Sequence, residues 1–219
     1  SWRNLPSVSI NDPLLMLGKP APLTAATGMD ALTHAVEAYI SKDANPVTDA
    51  AAIQAIRLIA RNLRQAVALG SNLQARENMA YASLLAGMAF NNANLGYVHA
   101  MAHQLGGLYD MPHGVANAVL LPHVARYNLI ANPEKFADIA EFMGENIHGL
   151  STMDAAESAI RAIARLSSDI GIPQHLSELG VKEADFPYMA EMALKDGNAF
   201  SNPRKGNEKE IVAIFRQAF

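Results

Sequence analysis

Asparagine-proline pairs, each followed by apolar residues recurring every three or four positions, restrict this chain's fold more than any other feature. The segment "NPVTDAAAIQAIRLIARNLRQAVALG" opens with Asn45 in the N-cap position and Pro46 as the first helical residue, and stops at Gly70. "NPEKFADIAEFMGENI" starts the same way from Asn132 and Pro133. "STMDAAESAIRAIARLSSDIGIP" begins at Ser151, with Asp154 three residues on, and ends at Gly171 with Pro173 just beyond. The same spacing predicts helices over 73–92, 97–108, 114–128, 184–196 and 207–218, with helical periodicity from about residue 27 to the end. Only the first 20 residues read as extended, with "SVSI" alternating before "NDP" breaks the pattern. The expectation is an all-α helical bundle domain over residues 1–219, with a short extended N-terminal segment. Two sub-bundles, 1–147 and 148–219, are expected to meet near residue 148.

What is missing narrows the function. With 219 residues and 50% hydrophobic content the chain can bury a sizeable core. Only 17% of residues are charged, the formal net charge is −4, and no run of Lys or Arg offers a surface for nucleic acid. No apolar run approaches the roughly 20 residues that span a bilayer, so no membrane association is expected. The N-terminal "SWRNLPSVSINDPLLM" lacks the basic and apolar regions of a signal peptide. The absence of cysteine excludes disulfides, thiolate metal ligands and a cysteine nucleophile, and fits a cytoplasmic protein. There is no G-x-G-x-x-G after a strand and no βαβ alternation, so nothing in the usual form would hold a dinucleotide pyrophosphate.

Against that low charge, "GYVHAMAHQLGGLYDMPHG" concentrates three of the seven histidines between Gly96 and Gly114. His99 and His103 are four residues apart, which puts both rings on one helix face with Cβ atoms about 6 Å apart. His113 follows where "MPHG" turns the chain. Upstream, "TGMDALTHAVEAY" gives Asp30 and His34 at the same four-residue spacing. Either pair alone reads as a surface hydrogen bond or a satisfied core histidine. Together they would bury five polar groups among Ala, Val, Leu and Met, at about 1–3 kcal/mol for each group left unpaired. One divalent cation would partner them all. Imidazoles with a carboxylate suit Fe²⁺, Zn²⁺ or a similar borderline ion better than Ca²⁺ or Mg²⁺. Ala100, Met101 and Ala102 stand between His99 and His103, so the glutamate general base of H-E-x-x-H is absent. A Lewis-acid site of this kind suits polarising an alcohol or carbonyl oxygen rather than cleaving a peptide.

The segments "LTAATGMDALTHAVEAY", "AGMAFNNANLGYVHAMAHQLGG" and "MPHGVANAVLLPHV" resemble the signature regions of the iron-dependent (group III) alcohol dehydrogenases, most closely the lactaldehyde reductase type. The likeness runs from "INDPLLM" to "NPRKGNEKEI". The resemblance implies that Asp30, His34, His99 and His113 bind the metal, Fe²⁺ or Zn²⁺. It implies that His103 is not a ligand but a catalytic group relaying the alcohol proton near the nicotinamide. It also implies an N-terminal α/β domain binding NAD(P), which this sequence lacks; no cofactor-binding residue is identified in the chain itself. The chain is then expected to be the helical half of a two-domain, homodimeric enzyme acting on small alcohols or aldehydes, and to be inactive without the other half.

Phe90 resembles a family position walling the substrate pocket, and is equally readable as core. Asn198 stands where lactaldehyde reductase relatives carry a pocket-wall cysteine, a departure that unsettles the substrate. Asn202, Pro203 and Arg204 read as a turn, His123 as a packed helix residue, and His148 and His175 as exposed. Met79, Met88, Met101 and Met111 read as core fillers. Two alternatives stay open at this point: a metal-dependent hydrolase or lyase using the same ligands, and a non-catalytic helical module.

Overall fold

The computed structural model describes residues 6–219, with nine α-helices and no strand among the described residues. They are α1 (Ala21–Ile40), α2 (Pro46–Ala68), α3 (Leu73–Ala93), α4 (Tyr97–Tyr109), α5 (His113–Leu129), α6 (Pro133–Phe142), α7 (Thr152–Asp169), α8 (Phe186–Lys195) and α9 (Glu208–Ala218). The all-α class is as expected. Two boundaries differ clearly. α1 starts before residue 27, because Pro20 and Pro22 begin the helix instead of blocking it: proline in the first turn gives up an N–H that had no partner there. α6 ends at Phe142, where Gly144 takes a left-handed φ of 90°. The described part of the N-terminal segment, from residue 6, forms no strand; Pro13–Met16 is a 3-10 turn capped by Asp12, whose Oδ1 accepts from the Leu14 N–H at 2.9 Å. The first five residues of the stretch expected to be extended lie outside the described region.

The two asparagine-proline starts differ in chemistry. Asn45 builds a full capping box, accepting from Val47 and Thr48 N–H while Thr48 Oγ1 accepts from Asn45 N–H at 2.9 Å. Asn132 caps nothing. Its Nδ2 donates instead to the Ile40 carbonyl at 3.0 Å, tying the start of α6 to the end of α1. Ser151 caps α7 as expected, accepting from the Asp154 N–H.

α1 is the central helix, with 14 of its 20 residues buried, and α2, α3 and α5 pack around it. Small side chains allow the close approach. α3 turns Ala82, Ala86, Ala89 and Ala93 inward at helical spacing, and α2 turns Ala52, Ala55, Ile56, Ile59 and Leu63. α6 and α7, on either side of residue 148, pack against each other, and α5 contacts both α7 and α9. One apolar cluster runs from Ala25 to Ala218 through all of these helices. Its largest apolar members include Phe136, Phe186 and Phe215, each contributing about 1.5–3 kcal/mol by burial. Met101 and Met111 are buried and Met79 packs on the core, but Met88 does not: it is 55% exposed, because it points away from the alanine face of α3. No helix of the described residues is long and apolar enough to cross a membrane.

α4 is positioned by caps that other elements supply. Its N-cap, Gly96, has no side chain, so the free N–H groups of the first turn find tertiary acceptors. Tyr97 N–H donates to Asn202 Oδ1 at 3.1 Å and Val98 N–H to Glu37 Oε1 at 2.7 Å. Asn202, which reads as a turn residue, is 1% exposed and exchanges two hydrogen bonds with Asn128 at 2.8 and 2.9 Å. Pro203 and Arg204 do form the bend beyond it.

Candidate metal centre

α1, α4 and α5 converge at one end of the bundle, and four of the five chemistry-bearing residues meet there. Asp30 Oδ1 lies 3.7 Å from His99 Nε2 and 3.5 Å from His113 Nε2. These three atoms all lie within 4.8 Å of one another, close enough to share one ion. His34 adjoins the trio without joining it: Nδ1 stands 3.8 Å from Asp30 Oδ2, and the ring is stacked on Phe90 at 4.4 Å and tilted against His99 at 4.5 Å. His103 offers no atom to the group. Its ring lies 5.7 Å from His113 and 6.4 Å from His99, and it is 42% exposed.

Local sequence explains these placements. Asp30 and His34 share a face one turn apart on α1, as His99 and His103 do on α4. His113 is the first residue of α5, and Gly114 behind it lets that helix touch α1. A Cβ at Gly114 would fall 2.4 Å from the backbone oxygen of Ala26.

Three further residues shape the centre that spacing had not singled out. Glu37 is only 2% exposed; its Oε2 accepts from His99 Nδ1 at 2.7 Å while its Oε1 takes the Val98 N–H. That bond keeps a hydrogen on His99 Nδ1 and turns Nε2 toward Asp30, the carboxylate–histidine arrangement common behind metal ligands. Asn117, fully buried, directs Nδ2 at Asp30 Oδ1 (2.6 Å), His113 Nε2 (3.0 Å) and His99 Nε2 (3.1 Å). Asp196 accepts from His103 Nδ1 at 2.7 Å. Glu37 lay one turn beyond His34 and Asn117 one turn beyond His113, so helical spacing could have found both. Asp196 is 93 residues from its partner, and no local pattern announces it.

The electrostatics favour positive charge at this point. Burial alone would raise Asp30, but hydrogen bonds to His99 and Asn117 and the nearby His34 and His113 outweigh it and hold the carboxyl at about 2. Burial would likewise lower His99, and Asp30 and Glu37 overcome it and raise the ring to about 9. His34 falls to about 4, mainly through burial and then the neighbouring His99. His113 is lowered, again first by burial. Two carboxylates thus face the cluster with no Lys or Arg among its members.

The donor set fits a divalent cation. A primary amide has two hydrogens, yet Asn117 Nδ2 lies within hydrogen-bond distance of three atoms, Asp30 Oδ1, His113 Nε2 and His99 Nε2, so it cannot serve all three. Its own Oδ1 is a buried oxygen without a partner. Two imidazole nitrogens and one carboxylate oxygen converging on one point, with a third imidazole alongside, match the ligand preference of Fe²⁺ or Zn²⁺.

The remaining residues are placed as follows. Phe90 lies against His34 at the edge of the cluster. Asn198 is half-buried on the 3-10 turn Gly197–Ser201 and meets the centre only through Asp196, whose Oδ1 accepts its N–H at 2.9 Å. His148 and His175 are exposed and His123 is partly buried on α5, as expected. A cavity of about 1020 Å³ lies between the N-terminal segment, α2 and α3, and none of its lining residues belongs to the cluster.

Comparison with known proteins agrees with this geometry. A family model described as "Fe-containing alcohol dehydrogenase family, C-terminal" matches residues 24–219. The chain is 95% identical over its whole length to the 1,3-propanediol dehydrogenase of Citrobacter freundii, of which it spans 57%. It is 46% identical over 216 residues to the lactaldehyde reductase of Escherichia coli K12, 99% of this chain and 56% of that protein. The likeness is therefore greater to the propanediol enzyme than to the lactaldehyde reductase. A crystal structure of a 1,3-propanediol oxidoreductase superposes with a TM-score of 0.99 at 93% identity, covering all of this chain and 57% of that one. The chain thus spans little more than half the length of these relatives, and it belongs to the iron-containing alcohol dehydrogenase family as a match to its C-terminal, all-helical part.

Proposed function

We propose that these 219 residues form the metal-binding catalytic domain of an NAD(P)-dependent dehydrogenase acting on small alcohols or diols and their aldehydes. The observation that carries the reading is the convergence of Asp30, His99 and His113 on one point, with the His34 ring 4.5 Å from that of His99. Asp30, His34, His99 and His113 would hold one Fe²⁺ or Zn²⁺. The bound groups would supply Lewis-acid polarisation of the substrate oxygen, from the ion, and hydride exchange, from a nicotinamide held by an α/β domain outside these residues.

The chain's own side chains do the rest. Glu37 holds His99 in the tautomer that presents Nε2. Phe90 stacks on His34 and limits its movement, presenting an apolar edge to a small carbon chain. His103, exposed and outside the ligand trio, is free to take the alcohol proton and return it to water. The 95% identity to a 1,3-propanediol dehydrogenase favours a short diol as substrate. A hydrolase is disfavoured, because no carboxylate stands between His99 and His103 to activate water.

The test is NAD-linked oxidation of 1,3-propanediol by the complete two-domain enzyme loaded with Fe²⁺ under anaerobic conditions. His103→Ala should keep stoichiometric metal and lose turnover. Loss of metal in that variant would make His103 a ligand, and metal-dependent ester hydrolysis without nicotinamide would reverse the reaction class.

A further inference from the structure

His103 is not held by α4 alone. Asp196, at the junction of α8 and the Gly197–Ser201 turn, places Oδ2 2.7 Å from His103 Nδ1. Its other oxygen is also engaged: Oδ1 accepts the Asn198 N–H at 2.9 Å and so caps that turn. With both oxygens used, the carboxylate cannot turn away without breaking a cap. Asp196 is only 16% exposed, whereas His103 is 42% exposed, so the carboxylate is the fixed partner and the imidazole the accessible one. A carboxylate can only accept, so His103 must carry its hydrogen on Nδ1. Nε2 is then the basic nitrogen, and it has no partner among the described residues.

We propose that Asp196 is the positioning residue for His103. It fixes the imidazole as the Nδ1–H tautomer, with Nε2 as the base beside the ligand set. This rests on the reading of His103 as the proton-relaying group. The step balances simply. The substrate O–H bond breaks, its proton forms a bond to Nε2, and the electron pair stays on the substrate oxygen. The Nδ1–H remains hydrogen-bonded to Asp196, whose charge stabilises the imidazolium until Nε2 gives the proton to water. Nothing is oxidised or reduced in this transfer.

Asp196→Asn tests the assignment because asparagine keeps the cap. Its Oδ1 can still accept from Asn198 N–H, which turns Nδ2–H toward His103 Nδ1 and forces that nitrogen to accept. The imidazole is then driven to the opposite tautomer, the kind of change that costs about 10⁴-fold in a serine protease triad. Nitrogen-15 NMR of the zinc-loaded 219-residue chain should show His103 as Nδ1–H in the unaltered protein and as Nε2–H in Asp196→Asn. In the complete enzyme the variant should lose about 10²–10⁴-fold in kcat while KM and metal content change little. Asp196→Glu should recover part of the loss. An unchanged tautomer and kcat in Asp196→Asn, alongside an inactive His103→Ala, would overturn the proposal and leave the reading of His103 intact. Full turnover by His103→Ala would remove that reading and overturn the catalytic part of the proposal with it.

Discussion

His99 and His103 sit one turn apart on α4, and each donates Nδ1–H to a carboxylate at 2.7 Å. Their pairing is the same and their surroundings are opposite. Around His99 everything is sealed: the ring and Glu37 are each 2% exposed, Glu37 also caps the helix through Val98, and Asn117 closes the far side. Around His103 the layer is open, with Asp196 anchored on a short turn and the ring near half exposure. A fixed, buried imidazole suits a metal ligand, which must not move. An accessible one suits a proton carrier, which must reach both substrate and water. Between these two rings burial, not the Nδ1 hydrogen bond, is the difference; His113, 45% exposed, joins the ligand atoms through the direction of its Nε2 instead.

Substitutions should separate the layers. The largest effect is expected for Glu37→Ala, which strands the Val98 N–H and the His99 Nδ1–H in the core; urea unfolding should show a loss of about 3 kcal/mol, with metal affinity down about 10–100-fold. An effect near zero would mean that the sealed layer is no more demanding than the open one. Gly114→Ala forces a Cβ into the Ala26 carbonyl, where backbone rather than a flexible side chain must yield, and should cost about 1–3 kcal/mol by thermal unfolding. Asp196→Ala belongs to the open layer and should cost only about 1 kcal/mol, mostly its cap, because an accessible pair is screened by water. Met88→Ala, outside both layers, should stay within about 0.5 kcal/mol of the parent.

The contrast also marks how far sequence reasoning reached. Helix number and order follow from apolar spacing and local caps, because those signals lie within four residues of where they act. Asn45 shows this, and Asn132 shows the limit: the same dipeptide gave a tertiary tie to Ile40 instead of a cap. Asp30, His34, His99 and His103 are legible because each pair spans one helical turn, and His113 because it follows ten residues on where Pro112 and Gly114 turn the chain. Their partners were less so. Glu37 and Asn117 continue the same helix faces but look like ordinary polar residues until burial is known. Asp196 and Asn202 act across long sequence separations, where only the folded chain brings the groups together. Met88 departs from the core-filler reading because the buried face of α3 is set by Ala82, Ala86, Ala89 and Ala93, and Met88 lies off it.

Asp30, His34, His99 and His113 are proposed to form one site for one ion. Zinc titration of the 219-residue chain, followed by metal analysis after gel filtration, should give one ion per chain. Asp30→Ala and His113→Ala should each fall well below stoichiometry, while His103→Ala stays at one. Retention of a full equivalent in the Asp30 and His113 variants, or none in the parent chain, would contradict the assignment of this cluster as the metal centre.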